Sequence, residues 1–169
     1  WEIMKEQGYG RLVVTTSSTG LYGNFGQANY GAAKLGLVGL MNTLKIEGTK
    51  YDIKINAVCP IAATRMTENL MPEETLSALK PEYVTPGVMN LVKDDAPTGM
   101  VLSAGAGAFS MAETVETRGA FVGTGEALTA EAVAAKWDEI TDRSHQEHFE
   151  SGAGHGGNIF ARVSEGAKG

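Results

Sequence analysis

The run Arg11-Leu12-Val13-Val14-Thr15-Thr16 constrains this chain most. It is mostly apolar, rich in β-branched residues, and followed at once by a polar, glycine-rich stretch from Ser17 to Gly26. A strand that is apolar on both faces is covered on both faces, which is the pattern of a parallel sheet sandwiched between helices. Gln27 to Glu47 then reads as a long helix with Leu37, Leu40, Met41 and Leu44 at i, i+3, i+4 and i+7, and Gly48 as its stop. Ile53 to Pro60 sets Ile53, Ile55, Ala57 and Cys59 against Lys54, Asn56 and Val58, the alternation of a second strand ended by Pro60. Tyr83 to Lys93 is expected to be a short helix and Met100 to Ala106 a third strand. Strand, helix, strand, helix, strand in that order indicates an α/β fold with right-handed crossovers.

Outside this frame the signals are weaker. Trp1 to Gln7 reads as the end of a helix stopped by Gly8, so the chain is expected to begin in mid-element. Thr67 to Leu79 is helical in composition but polar and Met-rich, as in a mobile lid. Thr129 is expected to cap a helix running to Ile140, with Glu131 and Ala132 in its first turn. Residues 1–143 are read as the domain, and residues 144–169, rich in Gly, His and polar side chains, as a flexible tail.

The charge balance narrows the function classes. A net charge of -6 with only 14 Lys and Arg leaves no basic stripe, so no nucleic-acid partner is expected. No apolar run approaches the ~20 residues of a membrane span, and no membrane partner is expected either. The single cysteine, Cys59, cannot form an intrachain disulfide and reads as a small buried hydrophobe.

Tyr30 and Lys34, spaced i, i+4, share one face of the long helix about one turn apart. A phenol is a poor acid or base at neutral pH, and a neighbouring ammonium that favours the phenolate corrects this. Ser17, thirteen residues before Tyr30, lies at the mouth of a strand, where its hydroxyl can hold the oxygen of an alcohol or carbonyl. Together the three describe alcohol/ketone chemistry.

Three ordered blocks carry a family resemblance. Gly10-Arg11-Leu12-Val13-Val14-Thr15-Thr16-Ser17-Ser18, then Gly20, Gly23 and Gly26-Gln27-Ala28-Asn29-Tyr30-Gly31-Ala32-Ala33-Lys34, then Asn56-Ala57-Val58-Cys59-Pro60, resemble the active-site signature of the short-chain dehydrogenase/reductase family. Tyr22 to Tyr30, Ala33 to Leu37, Ile46-Glu47-Gly48, Arg65-Met66-Thr67, Met71-Pro72-Glu73 and Leu79 to Val84 are similar to its (3R)-hydroxyacyl-CoA dehydrogenase branch, found in peroxisomal multifunctional enzymes of type 2. The resemblance runs from about Gly10 to Ile140 and fades in the tail.

It implies the C-terminal part of a Rossmann-like, doubly wound parallel sheet with the N-terminal strands missing. It further implies an NAD- or NADP-dependent oxidoreductase, NAD favoured, acting on a 3-hydroxyacyl or 3-ketoacyl thioester, with a homodimer as the working form. Transferred by position, Tyr30 is the acid/base, Lys34 supports it and binds the nicotinamide ribose, and Ser17 stabilises the reacting oxygen. Pro60, Ile61 and Ala62 lie against the nicotinamide, with Thr64 as a further contact, although Ile61 stands where the family pattern has Gly. The family's Gly-rich turn, ribose selector and Asn-Asn-Ala-Gly block belong upstream of Trp1, so the isolated polypeptide is expected to be inactive. The same motifs serve carrier-protein ketoreductases and other alcohol dehydrogenases, and a silent half-domain acting as an interaction module is the reading from another class. A cytoplasmic location is expected, or a peroxisomal one in a eukaryote, although Gly166-Ala167-Lys168-Gly169 is unlike a Ser-Lys-Leu signal.

Other groupings take plainer readings. Gly31, Gly36 and Gly39 inside one helix call for close helix packing. Gly105-Ala106-Gly107 and Gly123-Thr124-Gly125 read as turns rather than phosphate loops. His145, His148 and His155, with Glu147 and Glu150, lack the spacing of a metal site, and no metal is expected. Met66, Leu70 and Met71 either line an acyl channel or pack a loop against the sheet.

Overall fold

The structure is a computed structural model that describes residues 1–63 and 72–166. It divides into two compact units, residues 1–112 and 113–169.

The first unit opens with α1, Glu2–Gln7, closed by Gly8 in the left-handed conformation, as the sequence indicates. Then come β1 (Gly10–Thr15), the short α2 (Ser18–Tyr22), α3 (Ala28–Gly48) and β2 (Ile53–Pro60). They are followed by α4 (Glu73–Ala78), α5 (Thr85–Val92), β3 (Val101–Gly105) and β4 (Ala108–Ala112). The four strands form one sheet in the order β1-β2-β3-β4. β1, β2 and β3 are parallel, with Gly10 opposite Ile53, Thr15 opposite Val58 and Pro60 opposite Ala104. β4 was not anticipated. It runs antiparallel to β3 from a tight turn in which Ala106 and Gly107 both take positive φ.

β2 is buried, and β1 and β3 partly so, because helices cover both faces. On one face Val38 and Met41 of α3 pack on Ile55, Ala57 and Val101, with Leu12, Val14 and Leu44 completing the cluster. On the other, Val84 and Leu91 pack on Val58 and Ala104, joined by Val13, Val88 and Leu102. Each buried aliphatic side chain removed from water contributes ~1.5–3 kcal/mol, so these two clusters hold the helices to the sheet. Asn56, wholly buried in the middle of β2, donates to the Leu91 and Pro97 carbonyls and accepts from the Met100 N–H. Those bonds fix the chain between α5 and β3.

Two local expectations change. The apolar stripe of α3 is centred on Val38 and Met41, while Leu40 is 48% exposed. α3 ends at Gly48 as expected, but Gly48 stays helical at φ -77°, and the chain continues through a 3-10 turn, Thr49–Tyr51, and reverses at Asp52 with φ 51°. What Gly48 allows is contact: a Cβ there would lie 2.4 Å from the Ile53 carbonyl oxygen.

The second unit holds a two-residue strand pair, β5 (Glu116–Thr117) with β6 (Gln146–Glu147), and the helices α6 (Ala130–Ala135), α7 (Trp137–Ile140) and α8 (Gly152–Gly166). Thr129 caps α6 by accepting from the Ala132 N–H, and the helix expected to continue to Ile140 breaks at Lys136 into α6 and α7. In the stretch read as a flexible tail, β6 (Gln146–Glu147) and α8 (Gly152–Gly166) are formed. The physical reason is a polar clasp: Glu147 accepts from Asn158 at 2.6 Å and pairs with Arg162, while His155 meets Glu116 at 3.2 Å.

Candidate active site

Because β1, β2 and β3 are parallel, their carboxyl ends open on one edge of the sheet, the edge where α/β folds bind ligands. Ser17 follows β1 there. Its backbone is extended, at φ -157° and ψ 154°, and its Oγ accepts from the Thr19 N–H at 3.2 Å, starting α2. The hydroxyl proton is left for another acceptor.

Tyr30 stands in the first turn of α3 and is 43% exposed. Lys34, one turn later, is half-buried, with its Nζ 5.8 Å from the centre of the Tyr30 ring. The same Nζ donates to the Thr15 carbonyl at 2.9 Å, at the end of β1. An ammonium carries three donors, so two remain for a ligand. The i, i+4 spacing thus places an aromatic hydroxyl and an anchored cation on one helix face next to Ser17's strand.

The base of this edge is tightly built. Thr16, 2% exposed, donates its hydroxyl to the Lys34 carbonyl at 2.8 Å. A Cβ on Gly20 would lie 2.8 Å from the Lys34 Cβ, and one on Gly31 would lie 3.3 Å from the Thr19 carbonyl oxygen. The Gln27 amide oxygen accepts from Thr19 Oγ1 at 2.9 Å. None of Thr16, Thr19 or Gln27 stands out by residue type. The one signal was Thr16, a polar residue at the end of an apolar run. Gly36 and Gly39 behave differently from Gly31, since among the described residues a Cβ at either would meet nothing within 4 Å.

Pro60 ends β2, and Ile61 N–H donates to the Ala104 carbonyl at 2.8 Å. Ile61 is 49% exposed, while Ala62 packs toward the Val58–Leu91 cluster. A Cβ on Gly105 would lie 2.6 Å from the Ile61 carbonyl oxygen, so the exit of β2 can cross the end of β3 only because residue 105 is glycine. Thr64 and the expected channel residues Met66, Leu70 and Met71 lie outside the described residues. Cys59 is buried in β2, and burial pushes its thiol pKa up, with a hydrogen bond to Ser103 acting in the opposite sense.

The residues present fit the nicotinamide end of a dinucleotide. Two free ammonium donors on Lys34 suit ribose hydroxyls, and the half-exposed Ile61 with Pro60 offers an apolar wall for a flat ring. Among the described residues no His, Cys, Asp and Glu grouping could hold a metal ion, and no helix is long and apolar enough to cross a membrane.

This arrangement is the carboxyl-edge site of a Rossmann-like α/β fold. Residues 1–75 match the family model of the short chain dehydrogenases. A Mycobacterium tuberculosis protein named as a short-chain type dehydrogenase/reductase is 50% identical over 145 residues, covering 85% of this chain and 50% of that protein. The mouse peroxisomal multifunctional enzyme type 2 is 47% identical over 147 residues, covering 86% of this chain and 20% of that protein. The solved structure of full-length peroxisomal multifunctional enzyme type 2 from Drosophila melanogaster superposes with a TM-score of 0.86 at 33% identity, over 97% of this chain and 30% of that one. The chain belongs to the short-chain dehydrogenase/reductase family of oxidoreductases, whose members bind NAD or NADP. It spans half the length of the mycobacterial relative and a fifth of the mouse one.

Proposed function

We propose that this chain supplies the catalytic half of an NAD(P)-dependent oxidoreductase that interconverts a (3R)-3-hydroxyacyl-CoA and the 3-ketoacyl-CoA. The observation that carries the reading is Lys34, whose ammonium is anchored to the Thr15 carbonyl beside the Tyr30 ring. The thioester class rests on the similarity of residues 22–48 and 65–84 to the hydroxyacyl-CoA dehydrogenase branch and on the 47% identity to a peroxisomal multifunctional enzyme.

In the oxidative direction Ser17 donates its hydroxyl proton to the substrate oxygen and holds it next to Tyr30. Tyr30, as phenolate, takes the proton of the substrate hydroxyl as the C–H bond breaks. The nicotinamide supplies hydride acceptance when bound. Lys34 keeps a positive charge at the phenolate and offers its remaining donors to the ribose hydroxyls. Pro60, Ile61 and Ala62 exclude water from one side of the ring. In the reductive direction Tyr30 returns the proton to the carbonyl oxygen.

The described residues present only the nicotinamide side, so the chain on its own is inactive in this reading. A homodimer fits the exposed apolar side chains on α3, Leu35, Leu40 and Ile46, flanking Gly36 and Gly39, where an added Cβ would meet nothing within 4 Å among the described residues.

The test is reduction of NAD and of NADP by the full reading frame with a (3R)-3-hydroxyacyl-CoA. Turnover that Tyr30→Phe removes supports the assignment. No turnover on the thioester, with turnover on a carrier-protein substrate or a simple secondary alcohol, replaces the substrate class and keeps the chemistry.

A further inference from the structure

The geometry points to Thr16 as a positioning residue that sets the place of Lys34 relative to Ser17, an inference that rests on the dehydrogenase reading above. Leu12 and Val14 share a face of β1 and pack against the α3 cluster, and Thr16, the residue just past the strand, keeps the ladder bond from its N–H to the Val58 carbonyl and is buried beside them. A valine at position 16 would bury its apolar surface equally well, so the hydroxyl calls for a separate reason. Its partner supplies one. Thr16 Oγ1 donates to the carbonyl of Lys34, 2.8 Å away, and Thr16 is 2% exposed, so water does not compete for that bond.

Two hydrogen bonds join residue 34 to residues 15 and 16 in opposite senses. One runs from a strand side chain to the helix backbone, and the other from the Lys34 ammonium to the Thr15 carbonyl at 2.9 Å. The Thr16 backbone is itself fixed, since its N–H donates to the Val58 carbonyl at 2.9 Å. The sheet thus holds Thr16, Thr16 holds α3 at Lys34, and the next residue along the chain is Ser17. Lys34 also meets α2 at Gly20, where an added Cβ would lie 2.8 Å from the Lys34 Cβ. Lys34 is held both by a hydrogen bond and by a close backbone approach. Loss of the hydroxyl leaves the steric stop and removes the tether.

The experiment uses the full reading frame with wild type, Thr16→Val, Thr16→Ser and Tyr30→Phe, read by steady-state kinetics and by NMR of 13Cε-labelled lysine, with the Lys34 resonance assigned by Lys34→Arg. Misplacing a catalytic group by a fraction of an ångström costs turnover, so Thr16→Val is expected to lower kcat ~10-fold with the thioester KM within ~2-fold of wild type. Thr16→Ser restores kcat to within ~3-fold, and the Lys34 resonance moves in the valine variant and returns in the serine variant. Wild-type kcat in Thr16→Val, no recovery in Thr16→Ser, or a fall in kcat with an unmoved Lys34 resonance each overturns the proposal. If Thr16→Val does not fold, Thr16→Cys replaces it, being close in size to serine but a weak donor. If wild type turns over no thioester, the substrate reading fails while the Lys34 resonance still tests Thr16.

Discussion

The Arg11 guanidinium meets the Asp52 carboxylate at 3.1 Å, yet the two side chains are unequally buried, 6% exposed for Arg11 and 51% for Asp52. The ion pair is the outer part of a larger cluster at the amino edge of the sheet. Arg11 also donates to the carbonyls of Gly10, Asp52, Lys93 and Asp94, and lies 4.2 Å from the Tyr9 ring centre. Removing it strands several acceptors. Arg11→Ala is expected to cost ~3 kcal/mol in urea unfolding, whereas Asp52→Asn costs under ~1 kcal/mol, because an exposed pair contributes little. Equal losses in the two variants would refute this division.

Gly105 governs the cofactor wall. Since a Cβ there would lie 2.6 Å from the Ile61 carbonyl oxygen, Gly105→Ala must displace the Pro60–Ile61 exit. The expected outcome in the full-length enzyme is a cofactor KM raised ~10-fold, with a smaller change in thioester KM. A thioester effect as large as the cofactor effect would place the displaced backbone elsewhere.

Glu147 makes part of the second unit sensitive to acid. The hydrogen bond from Asn158 holds its carboxyl below the usual glutamate range, with Arg162 acting in the same sense and desolvation opposing both. The folded value is depressed, so the stabilisation is fully present above the ordinary value of ~4.3 and is lost as pH falls through the lowered folded value. Amide exchange in α8 is expected to quicken over that window, and Asn158→Ala should move the window upward. An α8 whose exchange shows no such acid-dependent change would contradict the clasp.

Cys59 is expected to be chemically quiet. Burial raises its thiol pKa and so disfavours the reactive thiolate. Ellman's reagent at pH 8 should leave the native chain unmodified and react fully in urea; rapid native labelling would show that the Cys59 environment opens.

Much of the frame was legible because β-branched runs such as Leu12-Val13-Val14 and Ile53-Lys54-Ile55 have few alternatives to buried strands. β4 was not, since Ala108-Phe109-Ser110-Met111-Ala112 lacks β-branched residues and is a strand only because β3 offers its edge. On α3, apolar side chains surround the helix, so periodicity alone misplaced Leu40 on the buried face and gave no special weight to Val38. Between β6 and α8 Glu147 meets Asn158 and Arg162, a pairing that composition does not reveal. Tyr30, Lys34 and Ser17 are legible through three ordered motif blocks that resemble the family signature, the i, i+4 spacing adding only that Tyr30 and Lys34 share a helix face. Thr16 and Gly20 escaped notice because what they answer to is the backbone and Cβ of Lys34, brought near by folding.

β1 forms one margin of the sheet, with β2 on its single paired side. Three of its residues, Leu12, Val13 and Val14, already pack into the clusters beneath α3 and α5. An apolar margin of this kind accepts another strand with little selectivity. Residues 1–169 prepared alone therefore exchange a folding problem for a concentration problem: each molecule brings its neighbours a template, and dilution does more than buffer composition to keep the molecules apart.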